Sequence, residues 1–206
     1  MISLVLMTAL AAAPAPDAAA VLKSLETAGR DLKTMKASFV ETKVLTLLSE
    51  KQETRGNVFL QVPGRLRWDY VSPQPGVMMI KDGQFARYVP QTKQVFRGAA
   101  KGEADLLVGF GPGAADLGKK YEVTLLPEEK VGQSPAYVLD LKPRTPGLFA
   151  GIRLWVDKAR QIPVQTRLTE PTGDYTTIRF EDVVVNRPLP STAFELKLPK
   201  DVAEVK

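Results

Sequence analysis

The chain has 206 residues, 44% hydrophobic and 25% charged, proportions that suit one globular domain with a sizeable core. It contains no histidine and no cysteine, which excludes serine-histidine and cysteine-histidine catalysis, zinc sites, haem ligation and disulfides. The net charge of +5 comes from 28 Lys and Arg interleaved with 23 Asp and Glu, a solvated surface without the basic stripe and stacking aromatics of a nucleic-acid binder, so no nucleic-acid partner is expected.

In chain order, the first element is an apolar run from Leu4 to Leu10 followed by Ala11, Ala12, Ala13, Pro14, Ala15 and Pro16. It reads as a short secretory signal peptide over residues 1–16, too short to span a membrane. No Lys or Arg precedes the run, and an alanine-rich unstructured N terminus is the competing reading. The chain lacks a cysteine to lipidate, so the mature protein is not itself expected to be a lipoprotein. Residues 17–206 are expected to form a single domain.

Asp17 can cap a helix whose Val21, Leu22, Leu25, Leu32 and Met35 share one face, predicting an amphipathic helix of about five turns. The period then changes from 3.6 to 2. Val58, Leu60 and Val62 alternate with Asn57, Phe59 and Gln61, and Leu66, Trp68 and Tyr70 alternate with Arg65, Arg67 and Asp69. The same alternation predicts strands at Tyr121/Val123/Leu125, Tyr137/Leu139/Leu141, Ile152/Leu154/Val156, Ile162/Val164/Leu168 and Phe194/Leu196/Leu198. Turn signals such as Asp82-Gly83, Pro171 to Asp174 and Asn186-Arg187-Pro188 punctuate them in the rhythm of an antiparallel meander or barrel. Residues 99–119, with Leu106 and Leu107 before Gly111-Pro112-Gly113, predict one or two short helices joined by a hinge.

These elements predict an α+β, mainly β fold in which a long sheet curls and the helices cover its concave face. The apolar sides then line either a packed core or a pocket for an apolar ligand. Catalytic residues are not expected. Glu128-Glu129 and Glu181-Asp182 are neighbours pointing to opposite faces of a strand, and no S-x-x-K or G-x-S-x-G arrangement is present. Cofactor and metal sites are likewise not expected.

Several blocks carry a resemblance: Ala37 to Thr42, then Gly56 to Tyr70, Ser72-Pro73, Lys81 to Gln84 and Tyr88-Val89-Pro90, with a tail at Asp174 to Val183, Asn186 and Phe194 to Val202. In order and spacing they resemble the LolA family of periplasmic lipoprotein carriers. The resemblance implies an unclosed antiparallel β-barrel with a lid of three helices over a hydrophobic cavity. It implies a partner set too: acylated lipoproteins as cargo, an inner-membrane ABC transporter of the Lol type, an outer-membrane lipoprotein receptor, transient membrane contact, and a monomer in the periplasm.

Carried over residue by residue, the acyl-chain cavity is expected at Leu60, Leu66, Trp68, Tyr70, Ile152, Leu154 and Val156, and the lid at Leu22, Leu25, Leu32, Leu106 and Leu107. Family members typically place an arginine before the proline of the first block, where it hydrogen-bonds the lid. This chain has Val62 there, so the lid-latch position is apolar unless Arg65 or Arg67 substitutes, and their alternation with Leu66 and Trp68 sends both to the solvent face. Two other readings are a carrier of another lipid, glycolipid or phospholipid, and an envelope-stress sensor module. The sensor family adds a further C-terminal domain, and an end at Lys206 soon after the closing strand argues against it.

Overall fold

The computed structural model describes residues 16–100 and 107–205. The expected signal segment up to residue 15 and the expected lid residue Leu106 lie outside them.

Helix α1 spans Ala18–Asp31. Asp17 caps it, its Oδ1 accepting a 2.8 Å hydrogen bond from the Ala20 amide, and Glu26 and Arg30 pair one turn apart on its exposed side. The helix is one turn shorter than its spacing predicts. Leu32 is already extended, and Met35 is a fully buried strand residue. The reason is tertiary: Asn186, held at φ 56°, accepts from the Lys33 amide at 2.8 Å and donates to the Asp31 carbonyl at 3.0 Å, turning the chain into the sheet.

The strands follow as β1 (Thr34–Leu45), β2 (Glu50–Gln61), β3 (Arg65–Ser72), β4 (Gly76–Lys81), β5 (Gln84–Val89) and β6 (Gln94–Ala99). After a 3₁₀ segment, Gly111–Asp116, and a short helix α2, Leu117–Lys120, come β7 (Tyr121–Val131), β8 (Ser134–Pro143), β9 (Gly151–Asp157), β10 (Pro163–Thr169), β11 (Tyr175–Val185) and β12 (Ala203–Val205). They form one twelve-stranded sheet in the order β12-β6-β5-β4-β3-β2-β1-β11-β10-β9-β8-β7. All pairs are antiparallel except β12, which lies parallel to β6 and covers that edge. The sheet does not close, since β7 and β12 are its two separate ends. The expected α+β, mainly β class and unclosed antiparallel barrel are the observed ones.

Two strand expectations are corrected. Phe194, Leu196 and Leu198 do not form a strand: Ser191–Phe194 is a 3₁₀ turn that buries Phe194, and the following residues run as irregular chain. Arg67 holds that tail, donating to the carbonyls of Glu195 at 2.7 Å and Ala193 at 3.4 Å. In β10 the pairing with β9 slips between Pro163 and Gln165, so Val164 packs with Trp155, Ala136 and Val138 while Ile162 and Leu168 join the two main clusters. This third apolar cluster is capped where Trp155 Nε1 donates to Glu129 Oε2 at 2.8 Å. Among the described residues, no helix is long and apolar enough to cross a membrane.

Candidate functional site: an apolar cavity beneath a helical lid

Among the described residues, two segments make the lid. One is α1, whose buried face carries Val21, Leu25 and Gly29. The other is described from Leu107 through Val108, Gly109 and Phe110 into the 3₁₀ segment and α2. They meet where side chains are absent: a Cβ on Gly29 would sit 2.4 Å from the Gly111 carbonyl oxygen and 3.2 Å from the Ala114 Cβ. Gly109 and Gly111 both adopt positive φ, 85° and 62°, which lets this segment double back without a Cβ penalty. A Cβ on Gly109 would lie 3.1 Å from Leu154 Cδ1 and 3.5 Å from Leu25 Cδ2, so lid and sheet are in van der Waals contact there.

A cavity of about 380 Å³ remains between this lid and the ends of β2, β3 and β4. Its wall is apolar, formed by Leu60, Val62, Leu66 and Ile80 from the sheet side and Leu107 and Phe110 from the lid. Lys120 and Arg65 stand among its lining residues, Arg65 Nε lying 3.6 Å from Asp82 Oδ1. Leu60, Leu66, Leu107 and the latch position Val62 are therefore brought together around one space.

The other expected cavity residues lie elsewhere. Trp68, Leu154 and Val156 are fully buried and Ile152 is 2% exposed; all four sit in clusters that the lid completes with Leu25, Val21, Leu107 and Phe110. They line the concave side as a packed core, because the lid's own side chains occupy the volume. Of the expected lid residues, Leu25 is fully buried, Leu22 is partly buried against the second cluster, and Leu32 packs into the first cluster just past the helix. Tyr70 faces a separate hollow together with Glu41 and Arg87.

An aromatic column connects lid to sheet. Phe110 meets Phe180 edge-on at 5.2 Å between centroids, Phe180 lies 6.2 Å from Trp68, and Trp68 contacts Phe39 at 4.5 Å. Inside that column the Trp68 Nε1 donor is buried and has no hydrogen-bond partner among the described residues. Phe110, Gly29 and Gly111 are site residues that periodicity alone does not single out. The available signals were a glycine inside a helical pattern and a Gly-x-Gly beside proline.

Val62 lies under the lid with its Cγ2 3.4 Å from where a Gly111 Cβ would be, an apolar contact at the latch position. Arg67 is turned away, pairing with Asp69 at 2.7 Å on the side that carries the C-terminal tail.

Residues 30–197 match the family described as outer membrane lipoprotein carrier protein LolA. An outer-membrane lipoprotein carrier protein of Chromobacterium violaceum is 27% identical over 195 residues, covering 91% of this chain and 88% of that protein. Its counterpart from Chromohalobacter salexigens is 27% identical over 156 residues, covering 72% and 69%. Among solved structures, the Pseudomonas aeruginosa MucA/MucB complex matches with TM-score 0.56 and 18% identity over 87% of this chain. The match covers 61% of that neighbour's chain, a likeness of fold. The family match runs from the last turn of the lid helix through every strand from β1 to β11 and both walls of the cavity, and the chain belongs to the LolA family of outer membrane lipoprotein carrier proteins.

Proposed function

We propose that the protein is a periplasmic carrier that shelters the acyl chains of lipoproteins beneath its lid. In this reading residues 1–16 are a removable signal peptide and 17–206 the carrier domain. Cargo is received from an inner-membrane ABC transporter of the Lol type and delivered to an outer-membrane receptor by a monomer that touches membranes only transiently. The observation that carries it is the mainly apolar cavity lying between the sheet and the lid, with apolar side chains on both walls. An acyl chain loses roughly 0.8 kcal/mol for each methylene left in water, so several chains cannot cross an aqueous space uncovered.

At about 380 Å³ the cavity is near the small end of the range for single small ligands, about 300–1,000 Å³. Several acyl chains need more room, and lifting Phe110 and Leu107 out of the core supplies it. Loading and release are then shifts between a closed and an open lid, with no bond made or broken.

The test is native purification from the envelope fraction followed by intact-mass detection of bound protein and mass spectrometry of solvent-extracted lipid. A triacylated lipoprotein at near-stoichiometric occupancy is the expected result. Free glycolipid or phospholipid in its place establishes the second reading, a carrier of another lipid, which the apolar residue at the latch position favours. An interior that binds neither lipoprotein nor fluorescent fatty acid overturns both.

A further inference from the structure

The concave face holds a second hollow, of about 600 Å³, whose chemistry differs from that of the lid cavity. Strand β1 leaves the lid at Thr34, and six residues after Met35, roughly 20 Å along the strand, it presents Glu41 inward. Across the sheet, Tyr70 of β3 and Arg87 of β5 face the same space, and Lys43 and Glu170 complete its charged lining. The packed Phe39–Trp68–Phe180 aromatics stand between this hollow and the lid.

The charges are not all used. Lys43 Nζ pairs with Glu170 Oε1 at 3.2 Å. Glu41 and Arg87 have neither a hydrogen bond nor an ion pair within 4.0 Å among the described residues, yet each lies in the other's field. Burial pushes the Glu41 carboxyl above its ordinary range against the pull of Lys43 and Arg87. Burial, with Glu41 beside it, raises the Tyr70 hydroxyl to about 12 while Arg87 opposes. A carboxylate and a guanidinium thus share one hollow with a phenol and do not touch.

We propose that this hollow is a second binding site, taking a small zwitterionic group in which an ammonium lies a few bonds from a phosphate, the ammonium on Glu41 and the phosphate on Arg87 and the Tyr70 hydroxyl. An unpartnered, largely desolvated carboxylate is costly and gains most from a full positive charge. A guanidinium fork matches phosphate oxygens in a way that an ammonium or amide does not. A neutral peptide offers donors and acceptors of the right kind, but it leaves both protein charges without a counterion. The group is that of phosphoethanolamine, whether free or as a lipid headgroup. The inference stands apart from the acyl-carrier reading, because the two hollows share no lining residue.

The test is calorimetric titration of the full chain with glycerophosphoethanolamine, inorganic phosphate and ethanolamine. The zwitterion is expected to bind saturably and at least tenfold tighter than either half, and to lose at least tenfold in Glu41→Gln and in Arg87→Gln. Absence of saturable binding, equal binding of one half alone, or affinity unchanged in both variants overturns the proposal. Arg87 is exposed, so Arg87→Gln decides the matter if Glu41→Gln fails to fold. Flotation with phosphatidylethanolamine vesicles separates the sources: retention that both substitutions abolish identifies the lipid headgroup, and soluble binding without retention identifies the free compound. Fluorescent fatty-acid loading, measured in the same variants, is expected to be unchanged, which keeps failure here distinct from failure of the carrier reading.

Discussion

Gly29 of the lid helix and Gly111 of the opposing lid segment meet backbone to backbone, so closely that a Cβ on Gly29 would lie 2.4 Å from the Gly111 carbonyl oxygen. Gly111 in turn sits over Val62 at the cavity rim. The two halves of the lid are therefore joined at a point where any side chain acts as a wedge.

Gly29→Ala is expected to pry that joint open. Alanine gains about 1 kcal/mol of helix propensity, but a backbone oxygen cannot yield as a flexible side chain does, and overpacking costs about 1–3 kcal/mol. Thermal unfolding should show a lower midpoint, and an environment-sensitive apolar dye should bind more strongly to the folded variant. A midpoint at or above wild type would show that the joint is not a tight one.

Val62→Arg is expected to add the missing polar latch. A guanidinium beneath Gly111 can reach lid carbonyls, and a charge-assisted hydrogen bond contributes about 1.5–3 kcal/mol. Hydrogen exchange of the α1 amides should slow by roughly tenfold or more, and fatty-acid loading should slow with it. Unchanged protection of α1 would count against a lid held here only by apolar contact.

Leu60→Trp tests the cavity itself. Leu60 is partly buried and lines the empty space, so an indole can enter volume already there without displacing the packed core. Affinity for a fluorescent fatty acid is expected to fall about tenfold while the circular dichroism spectrum and melting point stay close to wild type. Unaltered affinity would place the ligand elsewhere.

Asp157 supplies an acid-sensitive contribution to stability. Its buried carboxylate accepts from the Ala159 and Arg160 amides at 2.9 and 2.8 Å and from the Arg160 guanidinium at 3.3 Å. Burial raises its pKa, but the hydrogen bonds from the Arg160 amide, Ser134 and the Arg160 guanidinium, with the Arg160 charge, together hold it below the ordinary value. A carboxyl whose folded pKa lies below the unfolded one stabilises fully above the unfolded value, about 3.9, and loses this as pH falls through the folded value. Asp157→Asn should cost about 1–3 kcal/mol at pH 7 by urea unfolding. The gap to wild type should narrow below pH 4, and an equal gap at both pH values would remove the carboxylate charge from the explanation.

The alternation Leu66, Trp68, Tyr70 and the matching runs at Leu139/Leu141 and Ile152/Leu154/Val156 were enough to predict strands and their inward face. That is because side-chain alternation is a property of one extended strand and needs no partner. Composition likewise excluded histidine and cysteine chemistry outright. Which inward residues border empty space was decided only when the lid arrived. Leu25, Leu107 and Phe110 fill the volume over Trp68 and Leu154 and leave it open beside Leu60, Val62 and Leu66. The same holds for Asn186, which ends a helix more than 150 residues earlier in the chain, and for the slip at Pro163 that turns Val164 away from the main core. It holds also for the tail, where a 3₁₀ turn and Arg67 replace an expected strand. Local periodicity determines which face of an element is apolar. Packing between segments far apart in sequence determines whether that face meets a neighbour, a cavity or solvent, because density and steric fit are properties of the assembled interior.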